Sequence, residues 1–256
     1  MGYNIRMRWR KIFFKETDST NLQARRLVEA GEVGPGLVVW ASHQTAGRGR
    51  RRADWWDLPG RSLLATVVLD GMPATRATRL LSLAASAAAG RATGARPPVK
   101  WPNDLVWGSR KLAGVLAETL PSGPVLAGIG INVDYREEEL PDPLRYCSLS
   151  LMGPLRMGPA GLLDLLLEEL GLRLACGPGE LEEEYEAMLA FRGERVALKP
   201  PLCVPGRSDL SSRVLEGVIR GVDREGSLLL ETEEGLLRVA GGELAVPAGE
   251  RGGAVP

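Results

Sequence analysis

The chain has 256 residues, of which 44% are hydrophobic and 25% charged, so it is long enough for one large globular domain and a smaller one. Lysine plus arginine and aspartate plus glutamate number 32 each, which excludes the overall basic field of a dedicated nucleic-acid-binding protein. A single histidine, His43, excludes histidine-based metal sites and Ser-His-Asp triads, and three widely separated cysteines exclude a disulfide framework. Since no apolar run reaches the roughly 18 residues of a membrane span, we predict a cytoplasmic enzyme or binding protein with no membrane partner.

The first elements are a strand, a helix and a second strand. Loose alternation over residues 8–15 predicts the first strand, and the apolar run 36–41 predicts the second. Between them, Asp18-Ser19-Thr20 offers several N-caps for a helix over about 20–30. These hydroxyls and Asn21 could also bind a ligand at the helix start, and capping alone is the simpler role.

A glycine- and arginine-rich loop follows the second strand. It contains the run Gly47-Arg48-Gly49-Arg50-Arg51-Arg52, followed by Trp55 and Trp56. Glycine frees backbone N–H groups to wrap an anion, and arginine offers planar donors that match phosphate or carboxylate. The alternative is a solvated basic surface loop. The flanking strands and the two tryptophans favour a loop that closes on an anionic ligand.

A β-hairpin is the most informative part of the chain, and it comes after a third strand over 62–70 and an alanine-rich helix over about 75–92. Residues 104–107 and 110–118 predict two strands, and Gly108-Ser109 suits the two-residue turn between them.

The register of this hairpin predicts a charged patch. If Trp107 pairs with Arg110, then Asp104 opposes Ala113 and shares one face of the sheet with Lys111. Lys100 has the same parity, and Gly114 would let a ligand approach the strand backbone. The alternative is a surface hairpin with solvated lysines.

Later segments predict a buried strand, two helices and a small barrel. Gly128 and Gly130 in the strand 124–133 suggest close approach of another group, without the helix of a dinucleotide-binding fingerprint. Two helices follow, over about 159–175 and 179–190. Short strands then predict a β-barrel. Their ranges are 194–199, 213–222, 227–232, 235–240 and 243–246.

Five motifs, in order, make the chain resemble the biotin–protein ligase family. They are Ser19-Thr20-Asn21, Gln44 with Gly47-Arg48-Gly49-Arg50-Arg51, Lys100-Trp101-Pro102-Asn103-Asp104, Lys111-Leu112-Ala113-Gly114-Val115-Leu116 and Gly128-Ile129-Gly130-Ile131-Asn132. The Gly193–Val246 tail is similar to the C-terminal SH3-like domain of that family. The resemblance implies an α+β fold. Residues 1–191 would form a biotin- and ATP-binding catalytic domain with a mixed sheet and helices, like class II aminoacyl-tRNA synthetases, and residues 192–256 a small SH3-like β-barrel.

The resemblance also implies a two-step ligase. Biotin and ATP, accompanied by Mg²⁺, would give biotinyl-5'-AMP and pyrophosphate, and a lysine of a biotin carboxyl carrier protein would then displace AMP. The implied biotin-binding residues are Ser19, Thr20, Asn21, Gln44, Arg48, Gly49, Arg50, Lys111 and Gly114. The implied nucleotide-binding residues are Arg50, Arg51, Trp55, Lys100, Asn103 and Asn132. Arg48 and Lys111 are the implied catalytic cations, and Asp104, beside Lys111, is the candidate proton acceptor. Mg²⁺ would be held largely through phosphates and water.

Two further expectations concern differences from other members of the family. The Ser19 motif starts too early to leave room for the N-terminal DNA-binding domain of larger members, which predicts no DNA partner; a homodimer is left open. The family loop commonly has Gly-Arg where this chain has Arg52-Ala53. If the position of Arg52 needs φ > 0, this change should loosen the loop.

Two rival functions are weighed against the ligase. A lipoyl or octanoyl transferase would share the catalytic architecture, but the arginine loop and the barrel disfavour it, and no cysteine lies in a motif for octanoyl transfer. A non-enzymatic module could bind a small ligand or nucleic acid through the barrel. The barrel sequence, however, carries mixed charge and no set of aromatic residues for base stacking.

Overall fold

A computed structural model describes residues 8–177 and 179–245, the side chain of Arg52 excepted. Its larger part is a seven-stranded mixed sheet. The strands are β1 (Arg10–Phe14), β2 (Leu37–Ala41), β3 (Ser62–Leu69), β4 (Val99–Lys100), β5 (Asp104–Trp107), β6 (Arg110–Thr119) and β7 (Val125–Asn132). Their order across the sheet is β1-β2-β3-β7-β6-β5-β4. Only the pair β1–β2 among these is parallel, which confirms the mixed sheet.

Four helices cover the two faces of this sheet. They are α1 (Thr20–Glu29), α2 (Ala74–Thr93), α3 (Pro159–Leu174) and α4 (Glu180–Ala187). Helix α1 packs on β2, β3 and β7, where Ala24 joins Leu37 and Val39 in a small apolar cluster. Helices α2 and α3 pack together over the opposite face. Because both faces are covered, β3 and β7 are buried along their whole length, as expected for strands made mostly of apolar residues. None of the described helices is long and apolar enough to cross a membrane.

The hairpin register differs from the prediction by one residue. Trp107 pairs with Arg110 as expected, but Asp104 lies opposite Gly114, not Ala113. The pairing shifts between Leu105 and Val106, which leaves Leu112 as the extra residue of a β-bulge. The predicted pairing of Asp104 with Ala113 is therefore wrong, while Asp104 and Lys111 still meet on one face.

The barrel has five antiparallel strands in the order β11-β10-β9-β8-β12. They are β8 (Arg195–Cys203), β9 (Leu215–Val222), β10 (Leu228–Thr232), β11 (Gly235–Val239) and β12 (Gly241–Ala245). β8 is longer than predicted because its second half pairs with β12. The last strand was predicted to end at residue 246, which lies outside the described residues. We propose the domain boundary at residues 191–192, between the end of α4 and the start of β8.

The barrel packs directly against the larger part of the molecule. The indole of Trp101, which is 2% exposed, donates through Nε1 to the Gly226 carbonyl oxygen at 2.9 Å. Arg79 of α2 donates to the Arg224 carbonyl oxygen at 2.7 Å. Both carbonyls belong to the turn between β9 and β10, so this turn fixes the barrel beside the segment that joins β4 to β5.

Candidate active site

A cavity lies on the face of the sheet that carries α1, over β5, β6 and β7, and β12 of the barrel closes one side of it. Fourteen of the fifteen predicted site residues line it. They are Ser19, Thr20, Asn21, Gln44, Arg48, Gly49, Arg50, Arg51, Trp55, Lys100, Asn103, Asp104, Lys111 and Gly114. Helix α1, the arginine loop and the hairpin therefore meet at one site, although they are far apart in sequence.

The hairpin supplies an ion pair and a second lysine. Lys111 Nζ lies 2.9 Å from Asp104 Oδ1, and Lys100 stands opposite Asp104 in the β4–β5 ladder. A Cβ at Gly114 would come within 3.2 Å of the Asp104 Oδ1 atom, so this glycine keeps the space beside the pair open. Burial lowers the pKa of Lys100, and the nearby Asp104 carboxylate opposes that shift.

The arginine loop is held between the sheet and the barrel. Arg50 Nη1 donates to Asn103 Oδ1 at 3.1 Å, and Asn103 Nδ2 donates to the Val115 carbonyl oxygen at 2.7 Å. Arg51 turns the other way, and its Nη2 donates to the Pro201 carbonyl oxygen at 3.0 Å.

The left-handed backbone of this loop falls on Arg51, with φ of 56° inside the short 3-10 turn Arg50–Arg52. The condition under which Arg52 was expected to loosen the loop, a positive φ at its own position, is therefore not met. Arg48 is exposed and pairs through its backbone with Asp54. It also lines the cavity.

The closed end of the cavity is polar and lies at the start of α1. Ser19, Thr20 and Asn21 are all buried there, and Ser19 is the N-cap residue without a capping hydrogen bond from its side chain. Gln44 accepts a hydrogen bond from the Thr20 backbone N–H at 2.7 Å. Any side chain at Gly128 would overlap the amide of Asn21, which explains the glycine in this strand.

An indole forms the wall between the polar end and the lysines. Trp55 lies directly over Gly130, where a methyl group would overlap the ring. Lys111 Nζ is 5.7 Å from the ring centroid, within reach of a cation–π interaction. The Trp55 Nε1 atom is buried and has no hydrogen-bond partner among the described residues. An unmet donor in a cavity wall favours a ligand with an acceptor at that point.

One predicted residue lies outside the cavity. Asn132 is buried at the end of β7, and its Nδ2 donates to the Cys147 carbonyl oxygen at 2.9 Å. We therefore leave Asn132 out of the proposed site.

Several lining residues were not predicted. Gly242, Glu243 and Leu244 of β12 contribute from the barrel, and Tyr146 from the segment before Cys147. Their approach depends on how the barrel and this segment pack, so no local sequence pattern could have indicated them.

A buried acid supports the base of the arginine loop. Asp57 Oδ2 lies 2.8 Å from His43 Nδ1, and the Gln44 N–H reaches Asp57 Oδ1 at 3.4 Å. Burial raises the pKa of Asp57, against the opposing effect of His43. The pair anchors the backbone next to Gln44, a role that the lone histidine did not reveal in sequence.

The charges of the cavity favour an anionic ligand. Five basic residues line it, against three acidic ones, Asp54, Asp104 and Glu243. None of the three cysteines lines it, which disfavours a cysteine nucleophile. Across residues 8–177 and 179–245, no group of three His, Cys, Asp or Glu side chains could hold a metal ion.

Comparison with known proteins agrees with this geometry. Residues 13–134 match the model of the biotin/lipoate A/B protein ligase family, and residues 209–245 match that of the biotin protein ligase C terminal domain. The chain is 32% identical to a biotin–[acetyl-CoA-carboxylase] ligase of Mycobacterium tuberculosis, over 94% of this chain and 88% of that one. It is 30% identical to a Paracoccus denitrificans ligase of the same description, over 91% and 96% of the two chains.

The fold agrees as well. A biotin protein ligase from Aquifex aeolicus, solved in complex with biotin and ATP, superposes with a TM-score of 0.76 at 28% identity, over 92% of this chain and 97% of that one. This confirms the α+β catalytic fold with its small C-terminal β domain. Because the identity extends over most of both chains and both domains match in order, the chain belongs to the biotin protein ligase family.

Proposed function

We propose that the protein activates biotin with ATP to form biotinyl-5'-AMP and transfers the biotin to a lysine of a biotin carboxyl carrier protein. The observation that carries the proposal is the cavity itself. It joins a buried polar end at Ser19, Thr20 and Gln44 to a cationic end at Lys111 and Arg50. The first suits an uncharged ureido ring and the second a carboxylate beside a phosphate.

The first step brings two anions together. A carboxylate oxygen of biotin attacks the α-phosphorus of ATP, and pyrophosphate leaves with the electron pair of the broken P–O bond. Lys111 and Arg48 lower the barrier because their charges offset the repulsion between carboxylate and phosphate. Lys100 and Arg50 extend this positive field towards the nucleotide, and no protein nucleophile is needed.

The second step moves the acyl group to the carrier. The amine of the carrier lysine attacks the biotinyl carbonyl carbon, the bond to the phosphate oxygen breaks, and AMP leaves. One proton of the amine must be lost. We assign the Asp104 carboxylate as the base that receives this proton. Its Oδ1 lies 2.9 Å from Lys111 Nζ.

Mg²⁺ would enter this site with ATP. Asp104 already pairs with Lys111, and the described residues contain no cluster of ligands for a metal ion. A cation held mainly by phosphate oxygens and water fits such a site, and it would neutralise charge on the leaving pyrophosphate.

We also propose that the protein acts in the cytoplasm and needs no DNA partner. A homodimer remains a hypothesis. Sedimentation velocity of the purified chain would determine its oligomeric state. Lipoyl transfer by the same architecture is disfavoured because residues 209–245 match the biotin protein ligase C terminal domain.

Exchange of labelled pyrophosphate into ATP tests the proposal. Exchange should require biotin, should be independent of the carrier, and should not be supported by lipoate. Exchange that ignores biotin, or that appears only with the carrier present, contradicts adenylation as the first step.

A further inference from the structure

Lys100 is a lysine of the cavity that no acid holds in place. It lines the cavity opposite Asp104, but that carboxylate pairs with Lys111 at 2.9 Å. Within residues 8–177 and 179–245, no ion pair includes Lys100. Because a lysine carries its charge at the end of a flexible stem, the reach of the Lys100 ammonium depends on where the backbone places that stem. The neighbours of Lys100 in the chain therefore decide which ligand atoms it meets.

Both neighbours of Lys100 are held from outside the cavity. On one side, the N–H and the carbonyl oxygen of Val99 bond to the linker 188–190 that joins α4 to the barrel, each at 2.8 Å. On the other side, the buried Trp101 indole donates to the Gly226 carbonyl oxygen at 2.9 Å. Lys100 thus stands between two contacts that reach the barrel or its linker.

The turn between β9 and β10, which contains Gly226, is braced within itself. The Asp223 carboxylate accepts from the Ser227 N–H at 2.8 Å and from Arg238 Nε at 2.7 Å. The Gly226 N–H donates to the Asp223 carbonyl oxygen at 3.0 Å, and Gly226 has the left-handed φ of 89°. A turn with so many internal bonds moves as a unit, so any displacement of it displaces the Trp101 indole as well.

Arg79 of α2 ties this turn to the larger part of the molecule. It is 5% exposed, its Nη2 donates to the Arg224 carbonyl oxygen at 2.7 Å, and its Nη1 lies 3.5 Å from Glu182 Oε1. Replacing a buried ion pair by apolar residues is often neutral or stabilising, so stability gives little reason for a guanidinium here. Holding the Arg224 carbonyl, and with it the turn, requires a donor at this point.

We infer that Arg79 and Gly226 are positioning residues for adenylation, which hold the turn against Trp101 and thereby direct Lys100 at the nucleotide. The inference rests on the proposed function, in which Lys100 extends the positive field towards ATP. Neither positioning residue lines the cavity, so both act through the backbone of residues 99–101. The polar end of the cavity lies at the start of α1, and biotin binding should therefore not depend on either of them.

Gly226→Ala tests the role of the turn. Alanine is strained at this φ, so the turn must shift and its carbonyl must move relative to the indole. The KM for ATP in biotin-dependent pyrophosphate exchange should rise by about three- to tenfold. The Kd for biotin in calorimetry should stay within about twofold.

Gly235→Ala is the matched control. Gly235 opens β11 with a φ of 111°, and no described atom lies within 4 Å of an added Cβ. This variant carries a similar backbone strain in the same barrel, so its melting temperature should fall as in Gly226→Ala. Its KM for ATP should be that of the unaltered protein.

The same change in a Lys100→Ala background shows whether the turn acts through this lysine. Lys100→Ala alone should raise the KM for ATP by at least about tenfold, because a charge-assisted contact is lost. Adding Gly226→Ala should then raise the KM no further, since the group that the turn positions is absent. A merely structural turn would add its effect in both backgrounds.

A second pair of variants tests the turn from the α2 side and does not depend on how Gly226→Ala folds. Arg79→Met removes the donor to the Arg224 carbonyl and should also raise the KM for ATP by about three- to tenfold. Arg79→Lys keeps a donor and should restore part of the loss. Arg173→Met removes another buried arginine, which pairs with Glu169 and lies outside the cavity lining, and should leave the KM unchanged.

Three results overturn the inference while the proposed function stands. They are an unchanged KM for ATP in both Gly226→Ala and Arg79→Met, an equal rise in Gly235→Ala, and an undiminished effect of Gly226→Ala in the Lys100→Ala background. If the unaltered protein shows no biotin-dependent exchange, the proposed function fails together with the inference.

Discussion

Replacement of Lys111 by alanine separates the catalytic role of this lysine from its structural role. In the proposed mechanism its ammonium makes a charge-assisted contact to the reacting carboxylate and phosphate, worth about 1.5–3 kcal/mol. At about 1.4 kcal/mol per factor of ten, Lys111→Ala should slow biotin-dependent pyrophosphate exchange by roughly ten- to a hundredfold.

The structural loss should be small by comparison. The side chains of Lys111 and Asp104 are 34% and 22% exposed, and Asp104 Oδ1 has no aligned hydrogen-bond donor among the described residues. Such a partly exposed ion pair contributes about 0–1 kcal/mol. The melting temperature should therefore fall by no more than about 2–4 °C.

Arg110→Ala is the matched control for this experiment. Arg110 is the neighbouring residue of β6, forms a partly exposed pair with Glu137 at 3.4 Å, and does not line the cavity. It should lose similar stability and keep its exchange rate. Equal loss of rate in the two variants, or a normal rate with a large loss of melting temperature in Lys111→Ala, would refute a catalytic role for this lysine.

Three further predictions follow from single contacts. Gly130→Ala should displace the Trp55 indole, because the added methyl group overlaps the ring, and biotin binding measured by calorimetry should weaken at least about tenfold. Unchanged affinity would mean that the indole does not define the pocket. Trp101→Phe removes the hydrogen bond to the turn between β9 and β10, so the free energy of unfolding measured by urea denaturation should fall by about 0.5–1.5 kcal/mol. An unchanged free energy of unfolding would show that this contact does not hold the barrel. Arg26→Ala should raise the pKa of Asp18, which the Arg26 hydrogen bond holds at about 2, towards 3.8. The Asp18 pKa is depressed in the folded state, so this pairing stabilises the fold above pH 3.8 and its contribution is lost as the pH falls towards 2. If NMR titration gave the same Asp18 pKa in Arg26→Ala and in the unaltered protein, the stabilising role of this pair would be contradicted.

Sequence reasoning located the strands and helices well because most of them are buried on defined faces. β3 and β7 are buried throughout and consist mostly of apolar residues, since helices cover both sides of the sheet. The glycines of β7 were also interpretable, because Gly128 and Gly130 stand where other side chains come too close for a Cβ. Patterns set by burial and close approach are local, and they can be read from a single sequence.

Errors arose where the outcome depends on contacts that local patterns do not encode. The bulge at Leu112 moved Asp104 from Ala113 to Gly114, and strand alternation alone does not reveal a bulge. Asn132 shares the strand face of Gly130 by alternation, but it lies at the end of the strand. There its side-chain amide donates to the Cys147 carbonyl oxygen and does not reach the cavity. In both cases one extra residue or one neighbouring segment decided the placement.

The arginine loop shows the same limit most clearly. Composition alone treats its arginines as equivalent anion-binding groups, but the fold gives Arg50 and Arg51 different partners. Arg50 is bound to Asn103, whereas the Arg51 guanidinium is held by Pro201 and by Glu243, at 3.4 Å, both on the barrel. These barrel contacts offset the left-handed backbone of Arg51, a conformation that costs a non-glycine residue about 1–2 kcal/mol. Because the Arg51 guanidinium is committed to the barrel, we propose that Arg48 and Arg50 supply most of the positive charge that this loop offers to substrate anions.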